Sequence, residues 1–136
     1  MTACHEAERA LLAAIEAGGA GVLRFGHREH LQITFALLHE TADLAAAAAR
    51  LRIALRRFAA NRGAPERYHE TLTWAWLVVV DERRRQVPEA TFDELVARFP
   101  ELLDAEHGAL AAHYDVPAIT RCARARSGFV LPGGSR

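Results

Sequence analysis

Histidine is the reactive side chain that this sequence offers most often. Seven histidines occur in 136 residues, and three of them, His27, His30 and His69, fall where the apolar spacing predicts the inward face of a helix. His27 and His30 are one helical turn apart, so both imidazoles can approach one point. A third imidazole from another helix would complete the three-nitrogen ligand set of open catalytic metal sites. We therefore predict a divalent transition metal (Zn, Cu, Fe or Ni) held by these three histidines.

Hydroxyl side chains accompany the histidines at helical spacing. Thr73 lies four residues after His69, and Tyr68 lies directly before it. Such hydroxyls can orient a substrate or a metal-bound imidazole. The predicted catalytic residues are therefore His27 as the proton carrier, with Tyr68 and Thr73 as orienting groups. Thr34, four residues after His30, is a further candidate of the same kind.

Two other interpretations of the histidines stay open beside the metal site. The same side chains could act as general acid and base without a metal, or as a cyclase site, because the pKa of histidine lies near neutrality. They could also be structural, since buried imidazoles need hydrogen-bond partners, and the protein would then be a non-catalytic helical binding or interaction module.

The composition excludes several other kinds of chemistry. The chain has no lysine, which excludes a Schiff base or a lysine-anchored pyridoxal cofactor. Its two serines, Ser127 and Ser135, are near the end of the chain, which argues against a serine nucleophile held by a rigid element. The prediction that follows is a small metal-dependent enzyme with a small organic substrate, in which lyase, isomerase and oxygenase chemistry are all open.

The charge balance and the absence of long apolar runs indicate where the protein works. Seventeen basic residues balance seventeen acidic ones, so we expect no nucleic-acid partner. No apolar run approaches the roughly 18 residues that span a bilayer, and the amino-terminal segment lacks the positive charge of a signal peptide. Cys4 and Cys122 are interpreted as free thiols. These features predict a cytoplasmic protein without a membrane partner.

Apolar spacing of three and four residues predicts an all-α fold, a compact bundle of five or six helices. We expect a single helical domain over residues 1–132 and a disordered tail over 133–136. The predicted helices cover about 3–17, 27–40, 42–61 and 65–86, then a short helix between Thr91 and Pro100, and one or two helices over 101–127 with a break at Val116 and Pro117.

These helices position the candidate residues. Projection of the second helix places His27 on the centre line of the apolar stripe and His30 near its edge, and projection of the fourth places His69 with Trp76. Trp74 falls on the opposite side, so either the fourth helix is central or Trp74 marks the contact of a homodimer. The other histidines, His5, His39, His107 and His113, are predicted to be on the surface.

Four segments resemble a widespread bacterial family of uncharacterised helical proteins of about this length. They are F-G-H-R-E-H-L (25–31), R-F-A-A-N-R-G (57–63), R-Y-H-E-T-L-T (67–73) and A-R-S-G-F-V-L-P (125–132). The similarity to this family lies in the F-x-H-x-x-H and Y-H-x-T-x-T motifs and in an F-V-x-P segment near the end of the chain. The resemblance implies motif positions for His27, His30, Tyr68, His69, Thr71 and Thr73, but no activity. The chain differs where Gly133 follows Pro132, a position at which the family often has an acidic residue.

Overall fold

A computed structural model describes residues 5–133, which form helices and turns without a β-strand, so the all-α class is confirmed. The expected number of five or six helices was wrong. The described residues contain seven α-helices: α1 (Glu6–Glu16), α2 (His27–Glu40), α3 (Leu44–Asn61), α4 (Glu70–Gln86), α5 (Phe92–Arg98), α6 (Val116–Arg121) and α7 (Ala123–Ser127). Cys4 and residues 134–136 of the predicted tail lie outside the described residues. None of the helices within 5–133 is both long and apolar enough to cross a membrane.

Helix α2 is the centre of the core. It contacts α1, α3 and α4, and α3 also contacts α4. Its side chains Leu31, Phe35 and Leu37 are buried almost completely, as are Leu51 of α3 and Leu77 of α4. Burying a side chain of this size contributes about 1.5–3 kcal/mol each. Because α2 is enclosed on three sides, its first turn places His27 and His30, both partly buried, at the edge of the core.

The turn after α1 positions one wall of the site. Gly18 and Gly19 follow the helix with positive φ angles of 114° and 76°, a conformation that glycine adopts without strain. A Cβ atom at Gly19 would lie 2.2 Å from Cδ1 of Phe58 on α3. The chain can therefore pass close to α3, and the ring of Phe25 packs against that of Phe58 with centroids 4.9 Å apart.

Helix α4 begins later than the sequence predicts. Residues Pro65–Arg67 form a separate 3-10 turn, and Tyr68 and His69 then have extended backbone with ψ of 136° and 110°. The proline favours the first turn of a helix, as expected, but that helix stops after three residues. Helix α4 starts at Glu70, so His69 is its N-cap residue and does not lie on a face of the helix.

Helices α5 and α6 begin at side-chain caps. Thr91 and Glu94 form the capping box of α5. Val116 and Pro117, predicted to break a helix, instead begin α6, where the Asp115 side chain accepts from the Ala118 amide at 3.1 Å. Proline is tolerated there because the first amides of a helix have no partner within it.

Two of the histidines predicted to be exposed are packed instead. The His5 ring is 8% exposed and lies 5.1 Å from that of Phe35 and 4.4 Å from that of His39, measured between ring centroids. His39 is half-buried and its Nδ1 atom donates to the Phe35 carbonyl at 2.9 Å. His107 and His113 are exposed, as predicted.

Candidate functional site

A cavity of about 510 Å³ lies where α2 begins, α3 ends and α4 begins. It contains all five predicted site residues. Its walls are formed by Phe25, Gly26, His27, His30, Leu55, Phe58, Ala59, Arg62, Ala64, Arg67, Tyr68, His69, Leu72 and Thr73. Thr34 is not part of these walls: it is fully buried, and its hydroxyl donates to the His30 carbonyl at 2.8 Å.

His27 is held by its Nε2 atom, which lies 2.7 Å from the carbonyl oxygen of Leu102. A carbonyl can only accept, so Nε2 carries the proton and the neutral ring has its lone pair on Nδ1. Burial lowers the pKa of His27, while the Leu102 carbonyl and the Asp104 carboxylate oppose this shift in part. The ring packs against Trp76 with centroids 4.5 Å apart. His27 is thus a fixed, neutral imidazole near pH 7.

His30 differs from His27 because its Nε2 atom is buried and has no hydrogen-bond partner among the described residues. Burial, and then the neighbouring His27, lower its pKa to about 4. An unpaired buried polar atom costs about 1–3 kcal/mol, and native proteins seldom keep one without a use or a bound water. His30 is therefore neutral near pH 7 and is the least satisfied polar side chain in the cavity wall.

Both ring nitrogens of His69 make hydrogen bonds within the protein. Its Nδ1 atom accepts from the Leu72 amide at 3.1 Å and caps α4, while Nε2 donates to the Ile119 carbonyl at 2.7 Å. Burial lowers its pKa, and the Ile119 carbonyl opposes this. The His69 side chain thus caps the start of α4 and links α6 to it by a hydrogen bond. Neither nitrogen is free to bind a ligand in this arrangement.

The geometry of the three histidines does not fit a metal centre. Within residues 5–133, no three His, Cys, Asp or Glu side chains form a group that could hold a metal ion. A metal bound by His27, His30 and His69 would require His69 to release the Leu72 amide or the Ile119 carbonyl. The metal site stays a prediction of the sequence.

The two predicted orienting hydroxyls both have partners. Tyr68 donates to Glu70 Oε1 at 2.6 Å, and Thr73 donates to the His69 carbonyl at 2.7 Å. Burial and the Glu70 carboxylate raise the pKa of Tyr68, so its proton stays on the phenol. Both hydroxyl protons are committed within the protein, and only the oxygen lone pairs can accept from a ligand.

Glu70 supports the outer side of this wall and is not among the predicted site residues. Its side chain is buried, accepts from Trp74 Nε1 at 3.0 Å and pairs with Arg52 at 2.9 Å and Arg56 at 3.5 Å. Burial raises the pKa of Glu70, but the hydrogen bonds from Tyr68, Arg52 and Trp74 outweigh it and the net pKa is lowered. The indole N–H of Trp74 is thus used within the chain. A homodimer through the Trp74 face stays a prediction.

Thr71, a position of the Y-H-x-T-x-T motif, has a structural role. Its hydroxyl donates to the Ala125 carbonyl at 2.7 Å and accepts from the Val130 amide at 3.0 Å. The Tyr114 hydroxyl donates to the Val130 carbonyl at 2.7 Å. The F-V-x-P segment is therefore held against α4 by hydrogen bonds, and Tyr114 is buried beneath that segment.

Together, the fold and the site define a small helical protein with a histidine-lined cavity between the starts of α2 and α4. No protein-family model, curated protein or solved structure matches the chain. The resemblance to the bacterial family stays a prediction, and the function is argued from the cavity.

Proposed function

We propose that this protein is an enzyme that transfers protons on a small organic molecule by means of His27 and His30, without a metal. The observation that carries the proposal is the pairing of these imidazoles in the wall of a 510 Å³ cavity, one with a lone pair on Nδ1 and one with a buried, unpaired Nε2. Cavities that hold small organic ligands have volumes of about 300–1,000 Å³.

His27 is the better proton acceptor of the two. A general base works best with a pKa near the working pH, and the Leu102 carbonyl and Asp104 both oppose the lowering of the His27 pKa, whereas His30 is held at about 4. His30 then hydrogen-bonds the substrate. Because the two rings repel each other when both are charged, protonation of one opposes protonation of the other.

The chemistry that this pair supports is proton removal from carbon. His27 takes a proton and becomes an imidazolium, and the electron pair left on the substrate either reforms a double bond or expels a leaving group. Return of the proton to another substrate atom gives an isomerisation, and its transfer to the leaving group gives an elimination. In both cases His27 ends neutral. The apolar walls around Phe58 and Leu72 keep the base poorly hydrated.

The test uses a substrate whose reaction needs only a base in an apolar pocket. In 5-nitrobenzisoxazole, removal of the ring C–H proton breaks the N–O bond and releases a coloured cyanonitrophenolate. We expect His27→Gln to lower kcat/KM for this elimination by about 100-fold, within the usual range for a general base. The matched control is His113→Gln, an exposed histidine outside the cavity. Equal rates for the wild type and His27→Gln would refute the proposal.

Elemental analysis distinguishes the metal-dependent enzyme from this one. Protein purified without a histidine tag should eliminate 5-nitrobenzisoxazole at the same rate before and after treatment with a chelator. About one metal per chain, lost together with activity in His27→Ala and in His69→Ala, would instead support the three-histidine metal site.

A non-catalytic binding module is the second candidate, favoured by the structural role of both His69 nitrogens. A binding module would bind small molecules in the cavity, with equal elimination rates for the wild type and His27→Gln.

A further inference from the structure

We infer that the cavity takes an organic carboxylate, with its apolar body against Phe58 and Leu72 and its carboxylate paired with Arg67 at the mouth. This inference rests on the proposed function, since it names the substrate class of the same cavity. It is argued from the charges of the wall, the ends of two helices and the unpaired imidazole.

The charged side chains in the cavity wall are both arginines. Arg62 and Arg67 line it, and no aspartate or glutamate does. Three carboxylates act on lining residues from outside the walls, and each is bonded within the protein. Glu29 accepts from the Gly26 amide at 2.7 Å, and Glu70 is paired with Arg52. Asp104, whose charge acts on His27, accepts from the His107 amide at 2.9 Å. The charged side chains of the wall itself are therefore cationic, and a guanidinium matches the two oxygens of a carboxylate.

The two arginines differ in how free they are. Arg62 donates to the Val22 carbonyl and lies over the Phe58 ring, 4.7 Å from its centroid, so its position is fixed. Arg67 is exposed in the 3-10 turn before α4, and no carboxylate in the described residues pairs with it. On neighbouring α3, by contrast, Arg52 and Arg56 are both paired with Glu70. Arg67 is thus the guanidinium that can turn toward a ligand.

Two helices direct their amino ends at the cavity. Gly26 is the N-cap residue of α2 and His69 that of α4, and both residues line it. The amino end of a helix carries a partial positive charge that stabilises an anion nearby. At α2 the Glu29 carboxylate already accepts from the Gly26 amide, so the partial charge of that helix end is shared with Glu29.

The His30 side chain lines the cavity, and its Nε2 atom is buried within the wall and has no partner within residues 5–133. A neutral imidazole can donate to one oxygen of a carboxylate or accept from a neighbouring hydroxyl. The two arginines, the His30 side chain and the apolar side chains thus line one cavity, which a ligand with an anionic group and an apolar body would fill.

The experiment compares two probes of the same shape and different charge. Indole-3-acetate and indole-3-acetamide are titrated into the full chain by calorimetry near pH 7.5. We expect the carboxylate to bind about tenfold more tightly than the amide, because charge-assisted hydrogen bonds are roughly twice as strong as neutral ones. Arg67→Gln should remove this preference. Arg9→Gln, which changes an exposed arginine of α1 outside the cavity, should keep it.

Three results would overturn the inference: equal binding of the two probes, no binding of either at millimolar concentration, or a preference for the carboxylate that survives in Arg67→Gln. The elimination of neutral 5-nitrobenzisoxazole separates this from the proposed function. If elimination depends on His27 but the carboxylate is not preferred, the substrate class is wrong and the acid–base enzyme stands. If the carboxylate is preferred but His27→Gln leaves elimination unchanged, the cavity binds anions without catalysis.

Discussion

Acidification should destabilise the fold through His30. In the folded state, burial and the neighbouring His27 hold the pKa of His30 at about 4, compared with 6.5 for an ordinary histidine. In the unfolded chain the ring takes up its proton near pH 6.5. Between these two values the unfolded state binds one more proton than the folded state. The contribution to stability is therefore fully present above pH 6.5 and is lost as the pH falls toward 4.

The size of the effect follows from that interval. It spans about 2.5 pH units, from 6.5 to about 4, and each unit corresponds to about 1.36 kcal/mol. The complete loss is therefore about 3 kcal/mol, of which about 2 kcal/mol has been lost at pH 5.0. This is a large part of the 5–15 kcal/mol by which a typical domain is stable.

The assay is urea unfolding followed by circular dichroism at pH 7.5 and pH 5.0. The free energy of unfolding should fall by about 2 kcal/mol less in His30→Gln than in the wild type, because glutamine does not titrate. His113→Gln, which changes an exposed histidine, should behave like the wild type. Titration of the other groups is common to all three proteins and cancels in the difference. The reasoning is refuted if His30→Gln and the wild type lose the same free energy within about 0.5 kcal/mol.

Three further predictions concern the groups around the cavity. His69→Ala should lower the free energy of unfolding by about 1–3 kcal/mol, because it removes the N-cap of α4 and leaves the Ile119 carbonyl unpaired. His69→Asn should regain part of this loss, and urea unfolding measures both variants. Thr71→Val keeps the shape of the side chain but removes its hydrogen bonds to Ala125 and Val130, so a protease should cleave the segment after Gly128 faster. Thr120→Val, which changes an exposed threonine, should leave the cleavage rate unchanged. The elimination rate should be constant above pH 6.5 and fall on the acid side, because the base is neutral His27 and burial lowers its pKa below 6.5; an alkaline limb with no acid limb in kcat/KM would contradict the role of His27.

Local patterns predicted the parts of the fold that depend on local physics. The apolar stripe of α2 gave its bounds of 27–40, and Thr91 with Glu94 gave the capping box of α5. The same stripe indicated that His27 and His30 face inward, and both line the cavity together with Tyr68 and Thr73. These features depend on residues three or four apart, which the sequence displays directly.

The parts that were missed depend on distant residues. Projection from Pro65 placed His69 on a helical face, but its partner is the carbonyl of Ile119, which no local pattern identifies. Glu70 was not predicted as part of the site because nothing near it in the chain shows that Arg52 and Arg56 would pair with it. His5 was judged exposed as a polar residue near the amino terminus, whereas it packs on Phe35 and His39. In each case a tertiary partner overrides the local preference.

The hydrogen bonds between the carboxyl-terminal segment and α4 affect the order in which parts of the protein fold. Two groups that secure the start of α4, the Ile119 carbonyl and the Val130 amide, come 50 and 59 residues after the side chains they bind. Closing loops of that length costs conformational entropy that the local contacts of a helix do not. A growing chain can pack α1 to α3 early, but it lacks these two partners until nearly all of it has been synthesised. The cavity should therefore be among the last regions to become ordered, after the bundle that surrounds it.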